Sequence, residues 1–194
     1  MTSHLHLRAA TPADAPALCR LYAYYVAHTA ITYEYEPPTA EEFAERMRHT
    51  LETYPYLVAE QDGAIVGYAY AGAFQSRAGY AWCTETTVYL DVNARGQGVG
   101  RALYALLEEI LKRQGIVELV ALITPPPSEA DGVTYPSMRF HQKMGYRLAG
   151  KIENSGYKFG RWFDTVIMQK EIGSVAETMR PIRCFDEVRA AFEL

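Results

Sequence analysis

The loop at residues 95–101 carries the clearest chemistry in the chain, because three glycines stand in it between two arginines. Glycines let successive backbone N–H groups turn toward one point, and a helix that follows them adds the positive end of its dipole. We therefore predict a backbone cradle for a phosphate or pyrophosphate, to which the two arginines add charge-assisted contacts. The predicted cradle consists of Arg95, Gly96, Gln97, Gly98, Val99, Gly100 and Arg101.

Two familiar phosphate-binding loops do not fit this spacing. The dinucleotide fingerprint requires glycines at its first, third and sixth positions, but the sixth residue from Gly96 is Arg101 and the sixth from Gly98 is Leu103. The nucleotide-triphosphate loop requires Gly-Lys followed by Ser or Thr, and no such triplet follows Gly100. The spacing argues against a nucleotide-binding oxidoreductase, and a glycine-rich turn without a ligand remains the alternative to an anion site.

The composition narrows the class of protein. A chain of 194 residues is near the usual length of one domain, and its net charge of −4 gives no sign of a nucleic-acid surface, so a small-molecule partner is expected. Cys19, Cys83 and Cys184 have neither disulfide nor zinc spacing, which predicts reduced thiols, a cytoplasmic location and no metal. No apolar run approaches bilayer length, so no membrane partner is expected.

Capping residues and hydrophobic periodicity predict helices that alternate with strands. Thr11 with Pro12 begins the first helix, Thr39 with Glu42 forms a capping box at the second, and Asp62-Gly63 indicates an antiparallel hairpin. The predicted helices end near Ala27 and Tyr54 and then span Ala102–Lys112 and Ser137–Met144. The predicted strands are Leu5–Leu7, Tyr56–Glu60, Ala64–Ala71, Tyr80–Val92, Val117–Ile123, Tyr146–Glu153 and Trp162–Lys170.

Two segments lie outside this pattern. The proline-rich run at 125–132 predicts an exposed loop. In the tail, Phe185, Val188 and Phe192 recur at helical spacing, which predicts a short amphipathic helix packed on the domain or on a second subunit. We therefore divide the chain into one domain at residues 1–173 and a C-terminal amphipathic tail at 174–194.

Several motifs occur in a fixed order around the glycine loop. They are Tyr80-Ala81-Trp82 with Glu85 and Thr87 to Leu90, Ser137 with His141 and Gly145-Tyr146, and Gly156 to Trp162 with Asp164. Over about residues 7–172 the chain resembles the phosphinothricin and methionine sulfoximine acetyltransferase branch of the GCN5-related N-acetyltransferase (GNAT) superfamily. The resemblance implies an α/β (α+β) fold, with a mixed, mostly antiparallel sheet of about seven strands, a V-shaped splay between the fourth and fifth strands, and flanking helices.

The resemblance also implies acetyl-CoA as the co-substrate. Its pyrophosphate is expected on the glycine loop, and its pantetheine is expected in the splay, paired with the strand at Val88, Tyr89 and Leu90. Thr134 stands where relatives usually have an asparagine, and together with Ser137 it completes the expected coenzyme contacts.

The resemblance implies that Glu85 is the general base, which takes a proton from the substrate ammonium directly or through water. Period-two alternation places Glu85 on one face of its strand with Cys83, Thr87 and Tyr89. The alternative is a structural carboxylate paired with Arg77 or another cation. Acylation of Cys83 is the less favoured route, because family members use direct transfer.

His141 occupies the position where many superfamily members carry a tyrosine that reprotonates the leaving thiolate. The imidazole is expected to do the same or to bind substrate. The alternative is a histidine that fills space in its helix and hydrogen-bonds locally.

The acceptor is predicted to be the α-amino group of a small amino acid or analogue. Arg77 suits a bidentate contact with a carboxylate, Tyr80 adds a hydrogen bond, and Tyr33 closes over the side chain. The alternative is that Arg77 pairs with a nearby acid. Gln75 and Glu34 replace basic residues that are common in the family, and both changes bear on substrate recognition.

The family resemblance and the aromatic strand around Trp162 imply a homodimer with active sites near the interface. Two other functions stay open, namely a non-catalytic acyl-CoA sensor and an acetyltransferase for another small amine. A sensor has no need of Glu85, Tyr89 and His141 together in one cleft, which favours the enzyme.

Overall fold

The computed structural model describes residues 4–125 and 135–194. Its strands are β1 (Leu5–Ala9), β2 (Tyr56–Gln61), β3 (Ala64–Ala73), β4 (Cys83–Leu90), β5 (Glu118–Ile123), β6 (Arg147–Lys158) and β7 (Arg161–Glu171). Within the described residues they form one seven-stranded sheet in the order β1-β2-β3-β4-β5-β7-β6. Neighbouring strands are antiparallel except β4 and β5, which are parallel. The mixed, mostly antiparallel sheet is thereby confirmed.

The helices are α1 (Ala15–His28), α2 (Ala40–Leu51), α3 (Val99–Gln114), α4 (Pro136–Lys143) and the short α5 (Phe185–Val188). The predicted capping box is confirmed at α2, where the Thr39 N–H donates to Glu42 Oε2 at 2.8 Å and the Glu42 N–H donates to Thr39 Oγ1 at 3.2 Å. Pro12 begins a 3-10 turn rather than α1, because the Asp14 N–H bonds back to the Thr11 carbonyl at 2.9 Å. The first α-helix therefore starts later than predicted.

The β2–β3 hairpin follows from its two turn residues. Asp62 and Gly63 have φ values of 51° and 81°, and two positive values in succession are what a type I′ turn requires. Gln61 then pairs with Ala64, and the two strands run antiparallel as predicted.

The two faces of the sheet bury separate cores. On one face α3 packs through Leu103, Leu107 and Leu111, all with no exposed surface. On the other face α1 and α2 cover a cluster rich in tyrosine that includes Tyr68 and Tyr89. Because side chains of β4 alternate between these faces, residues of that strand reach both cores.

Strand β4 is shorter than the predicted strand at Tyr80–Val92. It spans Cys83–Leu90 and lies between 3-10 turns at Ala78–Tyr80 and Val92–Ala94. The residue before it, Trp82, uses its carbonyl to accept the N–H groups that open β5, and its indole donates to the Arg180 carbonyl at 2.8 Å. These long-range contacts take the chain out of the sheet before Cys83.

The tail packs on the same polypeptide. Phe185 and Val188 lie in the α3 core with 1% and 3% of their surface exposed, and Phe192 packs against it. The buried Gln114 amide donates to the Thr53 and Arg183 carbonyls, each at 2.7 Å. Of the two alternatives for these apolar residues, packing on the domain is the one observed.

Candidate active site

The gap between β4 and β5 contains the candidate site. The two strands pair with each other only where Cys83–Glu85 lies against Glu118–Val120. Both strands continue beyond these residues, but they no longer pair with each other. This confirms the predicted splay. A cavity of about 260 Å³ opens there. Its lining includes Tyr33, Glu85, Thr86, Val88, Ser137 and His141.

Glu85 is the last residue of β4 that pairs with β5, and its half-buried carboxylate lies in the cavity wall. Burial raises the pKa of Glu85, and no ion pair or hydrogen bond within the described residues opposes that shift. Arg77 therefore does not pair with it. A carboxylate whose pKa is raised by burial, and which accepts no hydrogen bond from the described residues, is suited to take a proton from a substrate.

His141 lies in the same wall with 4% of its surface exposed. Its Nδ1 lies 2.8 Å from the Ser137 carbonyl oxygen, which can only accept, so Nδ1 carries the proton and Nε2 is left as an acceptor. The Tyr104 hydroxyl donates to Nε2 at 3.1 Å. Burial lowers the pKa of His141, which outweighs the opposing Ser137 carbonyl and keeps the ring neutral at neutral pH.

Tyr104 is a cavity residue that the sequence analysis missed. It lies on α3 with 1% exposure, and its hydroxyl is 3.4 Å from Thr86 Oγ1 as well as bonded to His141. On the sequence it belongs to the apolar stripe of α3, where an aromatic residue is normally core. The phenol hydroxyl was the one available signal, since a buried tyrosine needs a polar partner.

The glycine loop presents open backbone at the start of α3. Gly96 and Gly98 have φ values of 75° and 87°, and a Cβ on either residue would meet nothing within 4 Å. The first N–H groups of a helix have no acceptor within it, so those directly after Gly98 are left for another partner. Gly100 is different, because a Cβ there would lie 3.3 Å from Leu90 and 3.5 Å from Phe140.

The side chains of the glycine loop have two roles, since its two arginines are exposed cations and its glutamine supports the loop backbone. The exposed Arg95 guanidinium lies over the Tyr25 ring at 5.3 Å, and Arg101 is exposed beside the helix start. The Gln97 amide instead donates to the Asn93 carbonyl at 2.6 Å and braces the loop. The cradle therefore offers backbone N–H groups and two cations, with no acid in the first turn of α3.

The strand that is predicted to pair with the coenzyme has only part of its backbone free. Val88 and Tyr89 line the cavity. The backbone of Leu90 is already engaged, because its carbonyl accepts from the Tyr25 hydroxyl at 2.5 Å and its N–H donates to that hydroxyl at 3.2 Å. Ser137 lines the cavity, whereas Thr134 lies outside the described residues.

The three predicted acceptor-binding residues are not brought together. Tyr33 is in the cavity lining, and its hydroxyl accepts from Thr124 Oγ1 at 3.2 Å. Arg77 and Tyr80 are exposed on the connection between β3 and β4, outside the lining. The Tyr80 ring packs edge-on against Phe74 at 5.9 Å.

A larger groove, about 500 Å³, lies between α1 and the β2–β3 hairpin. Its Arg8 already bonds Asp14 and Glu60 at 2.7 Å, so its principal charges are mutually satisfied. We place the chemistry in the smaller cavity, where the Glu85 carboxylate has no partner among the described residues.

The described residues contain no His, Cys, Asp or Glu group arranged for a metal ion. None of their helices is long and apolar enough to cross a membrane.

The sequence matches the acetyltransferase (GNAT) domain family over residues 7–167. The chain belongs to the GNAT acetyltransferase family.

Relatives of this GNAT acetyltransferase point to one branch. It is 34% identical to the phosphinothricin N-acetyltransferase of Streptomyces viridochromogenes, covering 92% of this chain and 93% of that one. It is 31% identical to the L-methionine sulfoximine/L-methionine sulfone acetyltransferase of Salmonella typhimurium, covering 86% and 94%. A phosphinothricin acetyltransferase from Sinorhizobium meliloti, solved in complex with AcCoA, superposes with a TM-score of 0.82 at 34% identity and covers 95% of this chain and 99% of that chain.

Proposed function

We propose that this acetyltransferase moves the acetyl group of acetyl-CoA to the α-amino group of a small amino acid or analogue of the phosphinothricin and methionine sulfoximine type. The observation that carries the proposal is the unpaired, half-buried carboxylate of Glu85 beside the open edge of β4. The relatives named above, which act on such compounds or bind AcCoA, support the substrate class and the coenzyme.

The reaction needs one base and one proton source. Glu85 takes a proton from the substrate ammonium, and the freed lone pair attacks the thioester carbonyl, so that a C–N bond forms and the C–S bond breaks. The attacking nitrogen loses a second proton as it becomes an amide, and the leaving thiolate gains that proton at the His141 side of the cavity. There the Tyr104 hydroxyl and the neutral imidazole form a hydrogen-bonded pair.

Direct transfer is favoured over an acyl-enzyme on Cys83. Burial, with the nearby charge of Glu118, raises the pKa of the Cys83 thiol to about 11. The thiol is then protonated at neutral pH, and a thiol is a much weaker nucleophile than a thiolate.

A second acceptor class has one observation in its favour. Glu85 is the only charged side chain among the described residues that line the cavity, if neutral His141 is set aside. Such a wall suits a small cationic amine without a carboxylate as well as an amino acid. Recognition of a carboxylate then depends on Arg77, which is exposed at the end of β4 that holds Glu85.

Comparison of acids with their amides separates these classes. With L-methionine sulfoximine and phosphinothricin as acceptors, free thiol release from acetyl-CoA should show a much lower KM for each acid than for its amide. Arg77→Ala should remove about 10-fold or more of that preference, since a charge-assisted bidentate contact is lost. Arg180→Ala, in the tail, is the control for loss of an arginine. Equal use of acid and amide by the parent enzyme would reject the amino-acid acceptor, and no thiol release with any amine would favour the sensor.

We also propose a cytoplasmic homodimer that uses the β6–β7 hairpin, whose strand β6 is the edge of the sheet. Trp162 and Tyr157 pack edge-on at 5.2 Å, yet remain 60% and 45% exposed. Paired aromatic residues on an open sheet edge are typical of a protein interface.

Sedimentation is expected at twice the chain mass for the parent, and Trp162→Asp should shift it toward the monomer by placing a charge in the interface. Val175→Asp, at an apolar tail residue that is 78% exposed, should leave the dimer intact. A parent protein that is monomeric at working concentration contradicts the proposal.

A further inference from the structure

Three consecutive residues at the end of β6 each hold the loop between α1 and α2. Gly156 lies directly under the Tyr33 ring. The Tyr157 carbonyl accepts from the Tyr35 hydroxyl at 2.7 Å. Lys158 Nζ donates to the Thr29 and Thr32 carbonyls at 2.9 and 2.8 Å. We call the segment Gly156–Lys158 the loop clamp.

Lys158 is unusually buried for a lysine at the end of a strand, because only 2% of its surface is exposed. Its ammonium meets carbonyls at the C-terminal end of α1, where the helix dipole favours a cation. Burial lowers the pKa of Lys158, and the charge of Glu34 opposes this. A buried ammonium is retained only where partners replace water, so these two carbonyls fix the path of the loop.

Gly156 is the position where the clamp reaches the cavity. An alanine Cβ built there would overlap the Tyr33 ring, so the ring rests against bare backbone. From that contact Tyr33 extends to the Thr124 hydroxyl just beyond the end of β5. The ring therefore bridges β6 and β5 across one side of the cavity, and its place depends on Gly156 having no side chain.

We propose that the loop clamp positions Tyr33 and thereby sets the affinity for the acceptor amine. Gly156 and Lys158 are positioning residues, because both act on the acceptor through the loop and neither belongs to the glycine cradle or the Glu85 wall. This inference rests on the proposed acetyl transfer to a small amine. It gives a role to the first residues of the Gly156 to Trp162 motif, which neither the coenzyme site nor the general base explains.

The kinetic test compares two glycines of the same strand. With L-methionine sulfoximine as acceptor, Gly156→Ala should raise the acceptor KM by about 10- to 100-fold, because it displaces a substrate-facing ring. The KM for acetyl-CoA should change little. Gly150→Ala, where a Cβ meets nothing within 4 Å, should leave both constants unchanged. In a Tyr33→Ala background Gly156→Ala should add no further effect, because the displaced ring is absent. Equal effects of Gly156→Ala with and without the Tyr33 ring overturn the proposal.

Hydrogen exchange tests the clamp without turnover. Lys158→Met should increase amide exchange within residues 29–35 by about 10-fold or more, since loss of both carbonyl contacts allows the loop to open locally. Lys151→Met, at an exposed lysine of the same strand, should not. If no amine is acetylated, the proposed function fails, and the exchange result alone decides on the clamp. Unchanged exchange in Lys158→Met overturns it, whatever the kinetics show.

Discussion

Replacing Glu85 by glutamine should lower kcat/KM at neutral pH by about 10²- to 10⁴-fold and leave acetyl-CoA affinity nearly unchanged. The amide keeps the shape of the side chain but cannot take a proton from the substrate ammonium. Calorimetry with acetyl-CoA and single-turnover thiol release measure the two quantities separately. Glu118→Gln is the matched control, because Glu118 lies on the partner strand opposite Cys83 and outside the cavity lining.

The pH dependence of the acetyl-transfer rate tests the Glu85→Gln substitution in a second way. Because burial raises the pKa of Glu85, the parent rate should increase with pH through a value above that of an ordinary carboxyl group. Glu85→Gln should lose this increase.

The same shift in the pKa of Glu85 makes the stability of the protein depend on pH. The folded protein holds this proton more tightly than the unfolded chain, so the contribution to stability is complete at low pH and is lost as pH rises through the folded pKa. Glu85→Gln should therefore be at least as stable as the parent at neutral pH. An undiminished rate in this folded variant would make Glu85 a structural residue.

Placing an acid at Gly98 should abolish most acetyl-CoA binding. Gly98 has a φ of 87° and caps α3, and open space lies in front of it. Asp and Asn both tolerate this backbone region and have the same size, so their difference isolates the charge. We expect Gly98→Asp to bind acetyl-CoA about 100-fold or more weakly than Gly98→Asn, because a carboxylate would face the pyrophosphate.

Calorimetry at low and high salt checks the origin of that loss. Added salt should narrow the gap between the two variants, since the repulsion is partly screened at an exposed loop. Equal affinities for Gly98→Asp and Gly98→Asn in folded proteins would show that the pyrophosphate binds elsewhere.

Local chemistry explains which structural predictions succeeded. The Thr39–Glu42 box and the Asp62-Gly63 turn each satisfy their own backbone groups within a few residues, so their sequences suffice to place them. The glycines before α3 likewise adopt left-handed conformations, which glycine reaches at a lower cost than any other residue. Strand ends were less well predicted, because Trp82 leaves the sheet to meet β5 and the tail.

The family could be predicted from the sequence, as could the left-handed glycines before α3, because short motifs with fixed spacing carry them. The same motifs predict Glu85 and His141 as the acid–base pair. The surroundings of these residues could not be predicted in the same way. Glu85 has no ionic partner among the described residues, α3 brings Tyr104 to His141, and Lys158 reaches the end of α1. Each of these facts joins residues that are distant in the chain, and a periodic pattern describes one element at a time. Contacts between elements are fixed by packing and by the pairing of buried polar groups, which is why the placement of Arg77 outside the cavity was beyond the sequence as well.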